Sequence, residues 1–172
     1  MNDQTPMRDG FGRRIEYLRI SVTDKCNLRC VYCMPEAGLP WLKQDEILSF
    51  EEIESIVRVM AQMGLRRVRL TGGEPLVRPN LVDLVQRLAA IPGIEDIALS
   101  TNGVLLAPLA GELLAAGVRR VNISLDSLEP DRIDAIARRP GVHDRILQGI
   151  SAAESAGFSP IKINVVVMRG RN

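Results

Sequence analysis

The fold is decided by residues 63–72, MGLRRVRLTG, where a helical pattern ends at a glycine and an alternating apolar strand follows. The same join recurs at residues 116–125, AGVRRVNISL, and at residues 156–165, AGFSPIKINV. Strands that alternate with amphipathic helices imply βαβ units and a parallel sheet, because parallel neighbours need long crossover connections. We therefore predict an α/β fold.

Apolar periodicity extends this pattern in both directions along the chain. It predicts five strands, at residues 17–22, 67–71, 94–100, 120–125 and 161–168. It also predicts helices at 50–63, from 81 to just before Pro92, at 109–116, and over 130–156 with a break at 138–141. Ser49 and Glu52 have the spacing of a capping box at the first helix. Five strands cannot close an eight-stranded barrel, so we expect a partial barrel or an open curved sheet.

Composition indicates one domain. The chain has 172 residues and 46% hydrophobic content, enough for a single core. We predict a flexible lead-in over residues 1–14 and a core domain over 15–172. The net charge of +1 gives no general case for a nucleic acid or a membrane surface as partner. The polar start is unlike a secretory signal and no apolar run is long enough to cross a bilayer, so a cytoplasmic location is expected.

All three cysteines lie within residues 23–35, TDKCNLRCVYCMP, as Cys26, Cys30 and Cys33. Thiolates suit iron-sulfur clusters and zinc. Because structural zinc normally has four protein ligands, a set of three favours a centre that keeps one position free. The alternatives are three unrelated buried thiols and a zinc loop completed by a histidine, although the only histidine, His143, lies far along the chain.

This cysteine loop resembles the cluster loop of the radical S-adenosylmethionine (SAM) superfamily. Its flanks are similar to the molybdenum cofactor biosynthesis protein A family, the GTP 3′,8-cyclases. The similar segments are DGFGRRIEYLRISVTDKCN upstream, and RLTGGEPLVR, STNG, VNISLDSL and IKINVVVMRG downstream. Members of that family are considerably longer, so the resemblance implies a partial (β/α) barrel that is truncated at the C-terminal side, with an incomplete core domain.

The resemblance implies a 4Fe-4S cluster held by the three cysteines, with SAM chelating the remaining iron. Reduction of the cluster would cleave SAM to a 5′-deoxyadenosyl radical, which takes hydrogen from C3′ of GTP before that carbon attacks C8 of guanine. No residue is required as a general acid or base for this step. The implied partners are GTP, a reductant protein and a downstream cyclic pyranopterin monophosphate synthase, and a homodimer is left open.

The resemblance also implies roles for particular residues. The positions similar to SAM-contacting residues are Tyr32, Gly73 and Ser124, and the GGEP motif adds Glu74, whose carboxylate suits the SAM ammonium group. The positions similar to GTP-contacting residues are Arg19, Arg69, Ser100 and Lys162. From the residues alone, GGEP could be a plain glycine turn, and the two arginines could lie on an outward face as solubilising charges.

The second cluster of the family is held by cysteines beyond the point where this chain stops. We therefore expect the isolated chain to assemble the first cluster and bind SAM, yet fail to cyclise GTP. Two other hypotheses stay open: another radical SAM enzyme with a different substrate, and a non-catalytic metal-binding fragment.

Overall fold

The computed structural model describes residues 6–172, and its centre is a parallel sheet of five strands in chain order. The strands are β1 (Tyr17–Ser21), β2 (Arg67–Thr71), β3 (Asp96–Thr101), β4 (Val118–Ser124) and β5 (Ile161–Asn164). Each crossover steps to the next strand in the same direction, so right-handed connections place every helix on one face. This winding is that of an open (β/α) barrel, which confirms the predicted α/β fold.

Five helices connect the strands: α1 (Phe50–Gln62), α2 (Leu81–Ala89), α3 (Ala110–Ala116), α4 (Pro130–Ala137) and α5 (Val142–Ala156). The predicted capping box begins α1, since Glu52 N donates to Ser49 Oγ at 3.1 Å and Ser49 N donates to Glu52 Oε2 at 2.7 Å. The predicted break between α4 and α5 is also present. Short 3-10 turns at Gln44–Glu46, Pro75–Val77 and Ala107–Leu109 were not predicted.

Strand ends differ from the predictions by a few residues. β4 begins directly after Gly117, because Val118 is fully buried against the core. β5 ends at Asn164 rather than at residue 168. Beyond it, Val166 N donates to the Asp126 carboxylate at 2.9 Å, so this part of the backbone bonds to a side chain instead of a neighbouring strand.

The predicted lead-in lies partly outside the described residues, which begin at Pro6. From there the chain turns back on itself in a single antiparallel bridge between Arg8 and Arg14. Met7 N donates to Met63 O at 3.1 Å, which attaches this turn to the end of α1. The flexibility of residues 1–14 and the domain boundary at residue 15 stay predictions.

The two faces of the sheet differ in chemistry. The helix-covered face supplies the core through side chains that are fully buried, among them Val68, Leu70, Leu99, Val121 and Ile123. The opposite face carries polar and basic side chains, because residues alternate between faces along a strand. Among residues 6–172, no helix is both long and apolar enough to cross a membrane.

Candidate functional site

The cysteine loop follows β1 at the carboxyl edge of the sheet, where the segments after β2, β3 and β4 also meet. Sites in parallel α/β folds are built at this edge. The segment after β2 is GGEP, the segment after β3 contains Asn102 and Gly103, and Asp126 comes two residues after β4. The fold therefore gathers the predicted motifs around the cysteine loop.

The backbone of GGEP, residues 72–75, forms hydrogen bonds with the start of the cysteine loop. Gly73 N donates to Thr23 O and Glu74 N donates to Lys25 O, each at 2.8 Å. A Cβ atom on Gly73 would lie 2.5 Å from Asp24 O and closer still to Lys25 O. Side-chain-free positions are thus required here by the packing of one backbone on another. The predicted contact of Gly73 with SAM stays a prediction, and the glycine has a second purpose that sequence reasoning missed.

Glu74 joins the ends of β2 and β3 from inside the protein, with only 1% of its surface exposed. Its carboxylate accepts hydrogen bonds from Leu76 N at 3.0 Å, Thr101 Oγ1 at 2.7 Å and Asn102 N at 2.6 Å. Burial raises the pKa of this carboxyl above its ordinary value, although the three hydrogen bonds act to lower it. The Glu74 carboxylate thus accepts from three donors of the protein itself, and a contact with SAM remains a prediction.

Asn102 carries the connection from β3 to the cysteine loop. Its Oδ1 accepts from Val104 N at 3.1 Å, which fixes the amide so that Nδ2 faces the loop. Nδ2 donates to Asn27 Oδ1 at 2.7 Å and lies 3.9 Å from Cys26 Sγ. The STNG segment, which contains Asn102, was predicted to be either a turn or part of a site, and no role was assigned to Asn102, because turn chemistry alone also favours asparagine after a strand. Its place in STNG, a segment similar to the family, was the available signal.

Tyr32 is held from the other side of the loop. Its hydroxyl donates to Asp126 Oδ2 at 2.8 Å, and Asp126 is itself 5% exposed. Burial, followed by the hydrogen bond to Asp126, raises the pKa of the Tyr32 phenol, so the ring stays neutral. Ser124, two residues before Asp126, ends β4 at the same edge. Tyr32 and Ser124 thus lie at one edge of the sheet, as a shared ligand would require.

The three cysteines are free thiols with raised pKa values. Burial, followed by the charges of Cys33 and Cys26, raises the pKa of Cys30 to about 11. Burial is also the main cause of the raised pKa of Cys26 and of Cys33. Such thiols lose their protons when they bind a metal centre, since thiolate is the ligating form.

No three His, Cys, Asp or Glu side chains among residues 6–172 converge on one point as ligands of a single ion. A four-iron cluster distributes its thiolates over different iron atoms and does not need that convergence. His143, which could have completed a zinc loop, instead lies at the start of α5 with Nδ1 2.8 Å from Asp144 Oδ1. The donor set fits a cluster better than one zinc ion.

The predicted GTP residues all lie on the helix-free face of the sheet. Arg19 pairs in register with Arg69. Towards the other edge of the sheet, Asn122 pairs in register with both Ser100 and Lys162, so these residues share one row across the strands. Partners in register on parallel strands point to the same face. The two arginines therefore lie on the face opposite the helices, where Arg19 is exposed, and their contact with GTP stays a prediction.

Family comparisons assign the fold to a superfamily. The model of the Radical SAM superfamily matches residues 20–172. The chain belongs to the radical SAM superfamily. Its cofactors are accordingly a 4Fe-4S cluster and SAM, and the three free thiols at the carboxyl edge of the radical SAM sheet fit the cluster.

Within this superfamily, the chain is clearly similar to curated GTP 3′,8-cyclases. The chain is 57% identical over 166 residues to the GTP 3′,8-cyclase of Heliobacterium modesticaldum, covering 96% of this chain and 50% of that protein. It is 55% identical over 166 residues to the GTP 3′,8-cyclase of Moorella thermoacetica, covering 96% and 51%. The chain thus spans about half the length of the curated relatives it matches.

Solved structures agree on the radical SAM fold. Streptococcus suis SuiB bound to S-adenosylmethionine matches with a TM-score of 0.72 and 19% identity, over 96% of this chain and 35% of that one. HydG, a maturase of the [FeFe]-hydrogenase, matches with a TM-score of 0.70 and 17% identity, over 87% and 34%. At these identities the likeness concerns the fold alone.

Proposed function

We propose that this chain forms the radical SAM part of a GTP 3′,8-cyclase in molybdenum cofactor biosynthesis. The observation that carries the proposal is 57% identity to a GTP 3′,8-cyclase across 96% of the chain. When bound, the cluster and SAM supply the one-electron reduction from which hydrogen abstraction begins. The residues of the chain orient the two ligands and keep water away from them.

SAM is assigned to the carboxyl edge, beside the cysteine loop. Tyr32, Gly73 and Ser124 are the proposed contacts, with Glu74 behind them. Support comes from their common position: Gly73 is bonded to the start of the loop, and Tyr32 to Asp126, two residues beyond Ser124. Each of these residues is tied to the scaffold, which favours a preformed site.

GTP is assigned to the helix-free face through Arg19, Arg69, Ser100 and Lys162. The three cations form no ion pair with any residue between 6 and 172, whereas Arg120 on the same face is paired with Asp96. Arg69 Nε is buried and has no hydrogen-bond partner within those residues. A buried donor without a partner is costly, so an anionic ligand such as a triphosphate would stabilise this arrangement.

The remaining partners follow from the same proposal. A reductant protein must deliver the electron to the cluster, and a cyclic pyranopterin monophosphate synthase would consume the cyclised nucleotide. Both partners and a homodimer are proposals that rest on the family resemblance, and a cytoplasmic location is a proposal that rests on the polar, non-secretory character of the sequence.

GTP affinity tests the substrate assignment. Anaerobically reconstituted chain loaded with SAM is titrated with GTP by equilibrium dialysis, for the wild type and for Arg69→Gln. Loss of a charge-assisted contact to phosphate is expected to weaken GTP binding about tenfold or more. Arg66→Gln is the matched control, because Arg66 is already paired with Glu95 and should leave the affinity unchanged.

Equal, weak GTP binding by wild type and Arg69→Gln would instead favour a radical SAM enzyme with a different substrate. A second readout concerns turnover: we expect the chain alone to release methionine from SAM without forming the 3′,8-cyclised nucleotide. Detection of that product by mass spectrometry would show that this chain suffices for the whole reaction.

A further inference from the structure

The cysteine loop has little backbone structure of its own. Its backbone N–H groups donate to only one loop carbonyl, that of Cys30, from Cys33 N at 2.9 Å and Met34 N at 3.2 Å. The Arg29 side chain adds donation from Nη1 to Cys26 O at 2.8 Å and to Leu28 O at 2.9 Å. A segment with so few backbone–backbone hydrogen bonds of its own depends on its neighbours for its position. GGEP holds its beginning through Thr23 and Lys25, so another element has to hold the part that carries the cysteines.

The C-terminal end of α4 meets that part of the loop. Arg29 N donates to Ala137 O at 3.1 Å, and Val31 N donates to Ile136 O at 2.9 Å. The last carbonyl groups of a helix have no partner inside the helix. Here the cysteine loop supplies the missing donors, so the loop and the helix end complete each other's hydrogen bonding.

Two arginines immediately after α4 add a second set of contacts. Arg138 Nη1 donates to Met34 O at 3.0 Å, and Arg139 Nη1 donates to Asn27 O at 2.5 Å. The two accepting residues lie on either side of the Cys30–Cys33 pair in the sequence. Neither arginine forms an ion pair with a residue in the described part of the chain. Arg138 is an exposed residue at the end of α4, and its contact with the cysteine loop has no signal in the local sequence.

Arg138 also has an unusual backbone conformation, with φ of 50° and ψ of 41°. The left-handed region is unfavourable for a residue with a long side chain, and it persists where the surroundings over-determine it. In this position the chain leaves α4 and immediately directs two guanidinium groups back towards the loop. The conformation and the contacts therefore belong to one local arrangement.

We propose that Arg138 and Arg139 are positioning residues that hold the cysteine loop in its cluster-binding conformation. Their cations also oppose the negative end of the α4 dipole, next to a loop that must carry three thiolates. The proposal concerns the loop itself and does not depend on the identity of the substrate.

Hydrogen exchange on the metal-free chain tests the proposal without any cofactor. Arg138→Gly is the first variant, because glycine adopts the left-handed conformation freely and the helix end keeps its geometry. Arg139→Gln is the second, and it leaves the backbone conformation alone. In the double variant we expect the amides of Arg29 and Val31 to exchange about tenfold faster than in the wild type.

Arg132→Gln is the matched control, since Arg132 lies on α4 and pairs only with Glu129. It should leave loop exchange unchanged. Iron and sulfide per chain after anaerobic reconstitution, and the rate of cluster loss in air, give a second readout in which the double variant should lose iron several-fold faster. Urea unfolding of each variant separates loop release from global instability.

The proposal is overturned if Arg139→Gln and the double variant both keep wild-type exchange at these amides and wild-type cluster retention. It is also overturned if exchange rises equally throughout the sheet, since that would mean general destabilisation. Failure of GTP binding has no bearing on either outcome, so this result and the test of the substrate remain distinct.

Discussion

Replacing Gly73 by alanine tests whether the GGEP glycines serve the protein's own packing before they serve any ligand. The added Cβ would lie 2.5 Å from Asp24 O and nearer to Lys25 O, so the two backbones must separate. That movement disrupts the hydrogen bonds from Gly73 N to Thr23 O and from Glu74 N to Lys25 O. With about 1 kcal/mol for each bond and a similar strain, unfolding should become easier by about 3 kcal/mol.

The assay is urea unfolding of the metal-free chain in the absence of SAM, followed by circular dichroism. Gly111→Ala is the matched control, because nothing lies within 4 Å of a Cβ at Gly111 in α3. Alanine there should be neutral or stabilising by up to about 1 kcal/mol. If Gly73→Ala unfolds at the wild-type urea concentration and only its SAM affinity falls, the packing argument is refuted.

Two further predictions concern the cysteines. Because the pKa of Cys30 is raised from 9.0 to about 11, its thiolate population at pH 8 should be about a hundredfold below that of an ordinary thiol. Iodoacetamide labelling of the metal-free chain should therefore be slow at Cys30, rise with pH up to about 11, and become ordinary in urea; fast labelling at pH 8 in the folded chain would contradict this. Asn102→Leu removes the amide that lies 3.9 Å from Cys26 Sγ, so the reduction potential of the bound cluster should fall by an amount on the order of tens of millivolts. Potentiometric titration followed by electron paramagnetic resonance measures it, and an unchanged or higher potential would show that Asn102 does not act on the cluster.

The helix and strand pattern was predictable because it depends on local periodicity. The recurring joins at Gly64, Gly117 and Gly157 each mark a helix that ends and a strand that follows, and the structure places β2, β4 and β5 close after them. Strand ends were less predictable. β5 ends before Val166, because Val166 N donates to the carboxylate of Asp126, which is distant in the sequence, instead of to a neighbouring strand.

The residues of the candidate site also fall into those that local spacing identifies and those that only long-range contacts identify. Cys26, Cys30 and Cys33 could be identified from spacing as candidate cluster ligands, because all three lie in one short segment. Asn102, Arg138 and Arg139 could not, since their contacts join residues up to 112 positions apart. A polar residue after a strand or a helix has the same local signal whether it faces solvent or a loop.

The sequence by itself determined the α/β winding and the candidate cysteine loop, because both depend on short-range spacing. Apolar residues repeat along the helices and strands, and three thiols lie within eight residues. Only the tertiary structure decided which face Arg19, Arg69 and Lys162 occupy, why Gly73 must lack a side chain, and what holds the loop in place. These depend on contacts between strand ends and a helix end that folding alone brings together.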